Sequence, residues 1–262
     1  MGLLDDLKQQ AESRKQEEQT NQAQRTQNLQ AVNATLREAF HYFTELSNSL
    51  NVLKPEVARS FYLEGTTKLD NLMQCNYRVR DRRKIVDQRD YFEEVTLRFS
   101  WAGSQPIKIE KQSPMSIQRL RDALGGYGLR FECREIKNDR GLVESAVFTI
   151  EPEVIASAML TGNWDTGNIR LSLKNIDLLG TIDYQYDPTE VDYPLFEELA
   201  KLLLGKPNNL RNLGKYQEMI RTTPRLRSTI ADVQYPSVEQ PSAPESGSKS
   251  GLLDNLKSLL KR

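Results

Sequence analysis

From Leu3 to Lys54 the chain holds neither glycine nor proline. A stretch without a breaker permits one continuous helix of about 50 residues, a rod of some 75 Å at ~1.5 Å per residue. Whatever else the chain builds must pack along that rod or hang from it. The rod's two halves differ in character. Gln9 to Gln30 is dominated by Gln, Glu, Lys, Arg, Asn and Thr and carries no apolar stripe; such a segment stands in water as a helical stalk or stays unfolded. Leu29, Val32, Leu36, Ala39, Phe43, Leu46, Leu50 and Leu53 then alternate by threes and fours, the spacing of a heptad seam. Two partners suit that seam. One is the sheet of the chain's own domain. The other is a second copy, which would make Leu29, Val32, Leu36, Phe43, Leu46, Leu50 and Leu53 oligomerisation residues and the protein a homo-oligomer.

Pro55 ends the helix, and a shorter helical segment is expected before Gly65. Beyond it the period changes. Tyr91 to Trp101 places Val95, Leu97, Phe99 and Trp101 at alternate positions, a half-buried strand. Ile107 and Ile109 predict a second, and Met115 to Leu124 a helix stopped by Gly125 and Gly126. Leu129, Phe131 and Cys133 alternate, and after a turn at Asn138–Gly141 further strands are expected over Val143–Ile150, Ala158–Trp164, Ile169–Ile176 and Thr181–Tyr186. Leu195 to Leu204 reads as an amphipathic helix and Leu210 to Ile220 as a candidate for another. Consecutive strands joined by short turns favour antiparallel pairing. The predicted fold class is α+β: an antiparallel, meander-like sheet of about six to eight strands with flanking helices, a long N-terminal helix and a tethered C-terminal amphipathic helix.

The expected organisation is a polar helical N-terminal part (1–28), a central α+β domain (29–235), a flexible linker (236–250) and a terminal amphipathic helix (251–262). The linker, PSVEQPSAPESGSKS, has almost nothing to bury and spans ~20–25 Å end to end. No stretch approaches the ~18–20 apolar residues that cross a bilayer. Met1–Lys15 lacks the pattern of a secretory signal, and Cys75 and Cys133 lie far apart in sequence, as free thiols of a reducing compartment do. The expected location is the cytoplasm, peripheral on the inner face of the cell membrane.

The two ends carry nearly the same sequence. Gly2-Leu3-Leu4-Asp5-Asp6-Leu7-Lys8 and Gly251-Leu252-Leu253-Asp254-Asn255-Leu256-Lys257 differ at one position. The repeat is too short to fold alone and reads as a duplicated binding element. In the C-terminal copy Leu252, Leu253, Leu256, Leu259 and Leu260 fall on one helix face, with Lys257, Lys261 and Arg262 toward its end. A helix of ~11 residues is marginal in water and forms when its leucines find somewhere to go. Three destinations are open: a membrane surface with anionic lipid, a groove on a partner protein, or the protein itself. The tethered tail resembles, in kind, the membrane-targeting tails of bacterial cell-division and division-site-placement proteins. In the N-terminal copy the face is Leu3, Leu4, Leu7 and Ala11, and Asp5 and Asp6 oppose anionic lipid; Asp6 also stands where a myristoylation motif needs Ser or Thr.

Lys plus Arg and Asp plus Glu both number 36, which argues against wholesale binding to nucleic acid. Arg78, Arg80, Arg82, Arg83 and Lys84 form one basic run able to meet phosphate or nucleic acid, with Tyr77 and Tyr91 near for stacking; Asp81, Asp87, Asp90, Glu93 and Glu94 neutralise much of it. The acidic run Asp183, Asp187, Glu190, Asp192, Glu197 and Glu198 lacks the spacing of a calcium loop. Glu135-Ile136-Lys137 has nuclease-like spacing without the accompanying strand Asp. No phosphate-binding or nucleophile motif occurs, and the single histidine, His41, lies off the helix seam. The expectation is a non-enzymatic peripheral membrane scaffold or adaptor, without cofactor or metal, attached at both ends. The alternatives are an interaction protein docking in grooves of a larger assembly and a nucleic-acid-binding module.

Overall fold

The computed structural model describes residues 2–64, 67–210 and 219–221. The linker and the C-terminal leucine motif lie outside the described residues. The breaker-free segment is one helix, α1 (Leu3–Leu53). Seven antiparallel strands form a curled sheet in the order β1-β2-β3-β7-β8-β9-β10. Their ranges are β1 (Ala58–Glu64), β2 (Thr67–Val86), β3 (Arg89–Ala102), β7 (Glu153–Asn163), β8 (Asn168–Lys174), β9 (Thr181–Tyr186) and β10 (Met219–Arg221). Between β3 and β7 the chain inserts β4 (Ile107–Lys111), α2 (Pro114–Tyr127), β5 (Phe131–Lys137) and β6 (Val143–Ile150), the three strands pairing as β4-β6-β5. A third helix, α3 (Tyr193–Leu203), follows β9.

The core lies where α1 and α3 meet the inner face of the large sheet. Strand alternation puts Val95, Leu97, Phe99 and Trp101 of β3, Val154, Ala156, Ala158 and Leu160 of β7, and Ile169, Leu171 and Leu173 of β8 on that face, all buried. Val32, Leu36, Ala39, Phe43, Leu46 and Leu50 of α1 are buried against them, with Leu29 and Leu53 half-buried at the ends. This corrects the reading of Leu29, Val32, Leu36, Phe43, Leu46, Leu50 and Leu53 as oligomerisation residues: the seam is spent on its own sheet. The buried face is also wider than a two-position seam, because Asn33, Thr35, Tyr42, Ser47 and Ser49 lie within it. Asn33, Thr35 and Tyr42 are matched to backbone and side-chain partners. Phe92 N–H donates to Asn33 Oδ1 at 2.8 Å, and Tyr42 OH donates to Glu197 Oε1 at 3.1 Å.

Asn51 mends a break in the sheet. The β2–β3 register shifts between Cys75 and Arg78, and a bulge leaves backbone groups without ladder partners. Asn51 Nδ2 donates to Tyr77 O at 2.9 Å while its Oδ1 accepts from Tyr77 N–H at 3.2 Å. Asn175, itself at positive φ (51°), ties the small sheet's helix to the large sheet. Its Nδ2 donates to Tyr127 O and Ile155 O, both at 2.9 Å, and its Oδ1 accepts from Gly180 N–H.

Three local expectations are corrected. Residues before Gly65 form strand β1 rather than a helix, since Phe61 and Leu63 alternate with the exposed Tyr62 and Glu64. Helix α2 runs through Gly125 and Gly126 and stops at Gly128, which takes φ 71° in the left-handed region that glycine tolerates. Met219 and Ile220, expected in a helix, belong to β10.

Candidate functional site

Two features offer themselves: the projecting end of α1 and the outer face of the large sheet. Contact between α1 and the body begins at Arg25, whose Nε lies 2.9 Å from Asp165 Oδ1, and at Asn28, which donates to Asp165 O. Residues 7–27 are exposed throughout. The helix from Leu3 to Gln24 therefore leaves the body as an arm of about 33 Å. Leu3 and Leu4 lie in its first turn, and Leu7 is 53% exposed. Leu252, Leu253, Leu256, Lys257, Leu259, Leu260, Lys261 and Arg262 lie outside the described residues.

The basic run of β2 divides into two sets. Arg82 pairs with Glu93 at 2.9 Å and Glu94 at 3.3 Å; Arg83 pairs with Asp81 at 2.7 Å and lies 4.3 Å from the Phe92 ring centre; Lys84 Nζ lies 5.3 Å from that of Trp164. These three are held locally, as charged groups that blunt an edge strand are. Tyr77 is buried and stacked on Phe99, and Tyr91 is half-buried against Trp164, so neither offers an open face to a base. Arg78 and Arg80 remain exposed and make no ion pair with any described residue.

Sheet register joins them to cations from other strands. Side chains at alternate positions share a face, and the ladder pairs Arg78 with Arg98, Arg98 with Ser157, Ser157 with Lys174, and Lys174 with Thr181. One rung across five strands thus reads Arg-Arg-Ser-Lys-Thr on the face opposite α1. Two residues along, the next rung reads Arg80, Thr96, Met159, Ser172, Asp183; the one after reads Arg82, Glu94, Thr161, Arg170, Gln185. Arg98, Arg170 and Lys174, like Arg78 and Arg80, have no ion-pair partner among the described residues. Of the two carboxylates on these rungs, Glu94 faces Arg82 and Asp183 is buried, accepting from Ser172 Oγ at 2.5 Å. Where the end of α2 meets this face, a cavity of about 390 Å³ is bordered by Arg80, Arg98, Lys174, Tyr127 and Met159, with Glu94, the partner of Arg82, as the one carboxylate on its rim.

Sequence reasoning missed Arg98, Arg170 and Lys174. Their local signal was their place at the polar positions of alternating strands; the register that unites them is non-local.

The remaining acidic and thiol candidates serve the fold. Asp192 caps α3 by accepting from Leu195 N–H, Glu190 accepts from Asp187 N–H at 2.8 Å, and Glu198 pairs with Lys201. Cys75 and Cys133 are free and half-buried, and burial pushes the Cys75 thiol above its ordinary value, which works against a thiolate. Among the described residues no three His, Cys, Asp or Glu side chains group so as to hold a metal ion, and no helix is long and apolar enough to cross a membrane.

No family model, curated protein or solved structure matches this chain.

Proposed function

We propose that the protein is a non-catalytic scaffold or adaptor of the cytoplasm that attaches to the inner surface of a membrane through its leucine-faced ends. The observation that supports this reading is the exposed arm of α1. It carries the N-terminal leucine motif some 33 Å clear of the folded body, with Leu7 open to solvent. A motif that served only to stabilise its own domain would be buried there. The same leucine motif recurs at residues 251–257, after the Ser/Pro-rich sequence 236–250.

Each copy alone gives weak, reversible attachment, since partial insertion of a few leucines is offset by the cost of ordering a short helix. The test uses the full chain, a chain lacking residues 251–262, one with Leu3, Leu4 and Leu7 replaced by Ser, and one with both changes. Each is fractionated from cells and co-sedimented with phosphatidylglycerol-containing vesicles. Loss of residues 251–262 is expected to move the protein from the membrane to the soluble fraction and to weaken vesicle binding. Unchanged fractionation would overturn the proposal; loss of membrane association in cells with no vesicle binding by the parent chain would replace lipid by a protein groove.

A further inference from the structure

We propose that the outer face of the large sheet is a binding site for a small soluble ligand carrying two or more phosphoryl groups, held by Arg78, Arg80, Arg98 and Lys174 with Ser157. The first support is an arrangement that costs the free protein stability. Arg78 and Arg98 are direct cross-strand partners on one face, and like charges placed opposite each other repel. Neither has a carboxylate partner among the described residues, although such partners are abundant elsewhere on the same strands, as Arg82 with Glu93 and Glu94 shows. An anion seated between the two guanidinium groups removes the repulsion.

The second support is spacing. With strands ~4.8 Å apart, Arg78, Arg98, Ser157 and Lys174 cover about 14 Å in one line, and Arg80 stands on the rung ~7 Å away. Phosphoryl groups joined through bridging oxygens fit such a row, each oxyanion meeting a different cation. Guanidinium forks bind them bidentately, and the hydroxyl of Ser157 adds a neutral donor, that of Thr96 being given to Glu94 Oε1 at 3.2 Å.

The third is a half-open hollow beside three of the four cations, Arg80, Arg98 and Lys174. The cavity of about 390 Å³ lies within the range of small-molecule sites, with the half-buried Ile155 and Met159 as its apolar floor. A Cβ built on Gly128 would stand 3.3 Å from Lys174 Nζ, so glycine there leaves the ammonium its room. Single-stranded nucleic acid fits less well, because no exposed aromatic ring on these rungs offers a stacking platform.

The site is independent of the terminal motifs, so its test stands apart from that of membrane attachment. The full chain is titrated calorimetrically with inorganic tripolyphosphate, with citrate, with phosphatidylglycerol vesicles and with a short single-stranded oligonucleotide. Saturable binding of tripolyphosphate is expected, weakened at least ~10-fold in Arg98→Gln and in Lys174→Gln. The ligand-free Arg98→Gln protein should unfold at the same temperature as the parent or higher, which separates lost binding from lost folding; Arg82→Gln should bind as the parent does. Four results would each overturn the proposal: no binding of tripolyphosphate, equal binding by the Arg98 and Lys174 variants, citrate binding as tightly, or binding of vesicles or oligonucleotide without the soluble probe.

Discussion

Gly162 lets α1 approach the sheet closely. A Cβ built there would lie 2.2 Å from Val32 Cγ1 and 3.2 Å from Leu36 Cδ1. Val32 is fully buried and, being branched at Cβ, has no alternative rotamer to retreat to. Gly162→Ala should therefore destabilise the protein by ~1–3 kcal/mol, seen as a lower urea midpoint with an unchanged slope; an unmoved midpoint would mean that α1 sits farther from β7. A second prediction concerns two buried phenols. Burial, reinforced at Tyr42 by the facing Glu197, raises Tyr42 and Tyr77 well above the ordinary phenol value of 10.0. Above that value the unfolded chain releases these protons while the native protein holds them, so stability falls as pH rises. Below it both states are protonated and no dependence arises. Thermal midpoints measured between about pH 9 and pH 12 should drop, and drop less steeply in Tyr77→Phe. Neither effect could be read from the sequence, since both depend on which strand crosses the helix and where.

At the scale of elements, the two halves of α1 have opposite energetics. The buried half is fixed by packing; the arm is an extension propagated from a helix already nucleated, helped by side-chain bonds such as Thr20 Oγ1 to Gln16 O and Gln24 Nε2 to Asn28 Oδ1. Deleting residues 2–22 should remove helical ellipticity yet change unfolding free energy by no more than ~0.5 kcal/mol, whereas Leu36→Ala should cost ~2–5 kcal/mol. A large loss on deleting the arm would show that it packs on the body. The seam's threes and fours were plain in the sequence, and so were the bounds of β6 and β9. The seam's partner was not: a coiled coil and a sheet ask for the same period, and what distinguishes them, a wider buried face, ran through polar residues such as Asn33 and Ser47. Of strand β2 only the shared face of Arg78, Arg80 and Arg82 could be read, because its bulge interrupts the alternation and its last third is charged on both faces.

At the scale of the whole molecule, the proposed attachment motif of α1 and the proposed ligand face occupy separate regions. If both ends bind one surface, the second contact is intramolecular, and the pair can exceed either copy by ~10²–10⁴ in avidity. The chain altered at both ends should then lose vesicle binding altogether, while each single alteration leaves a residual signal that weakens with salt. The cationic face, in contrast, needs neither end. It was only partly legible in the sequence: Arg78 and Arg80 stood in a visible cluster, but Arg98, Arg170 and Lys174 reach the same plane through pairing of strands distant in the chain.

The insertion between β3 and β7 also has a temporal side. Val32 packs against Gly162, so the apolar stripe of α1 is synthesised about 130 residues before a strand that covers it. At ~5–20 residues per second the ribosome takes roughly ten seconds to deliver β7. Through that interval the stripe around Val32 lacks one of its covering strands, while β2 and β3, on which α1 packs more widely, are already made.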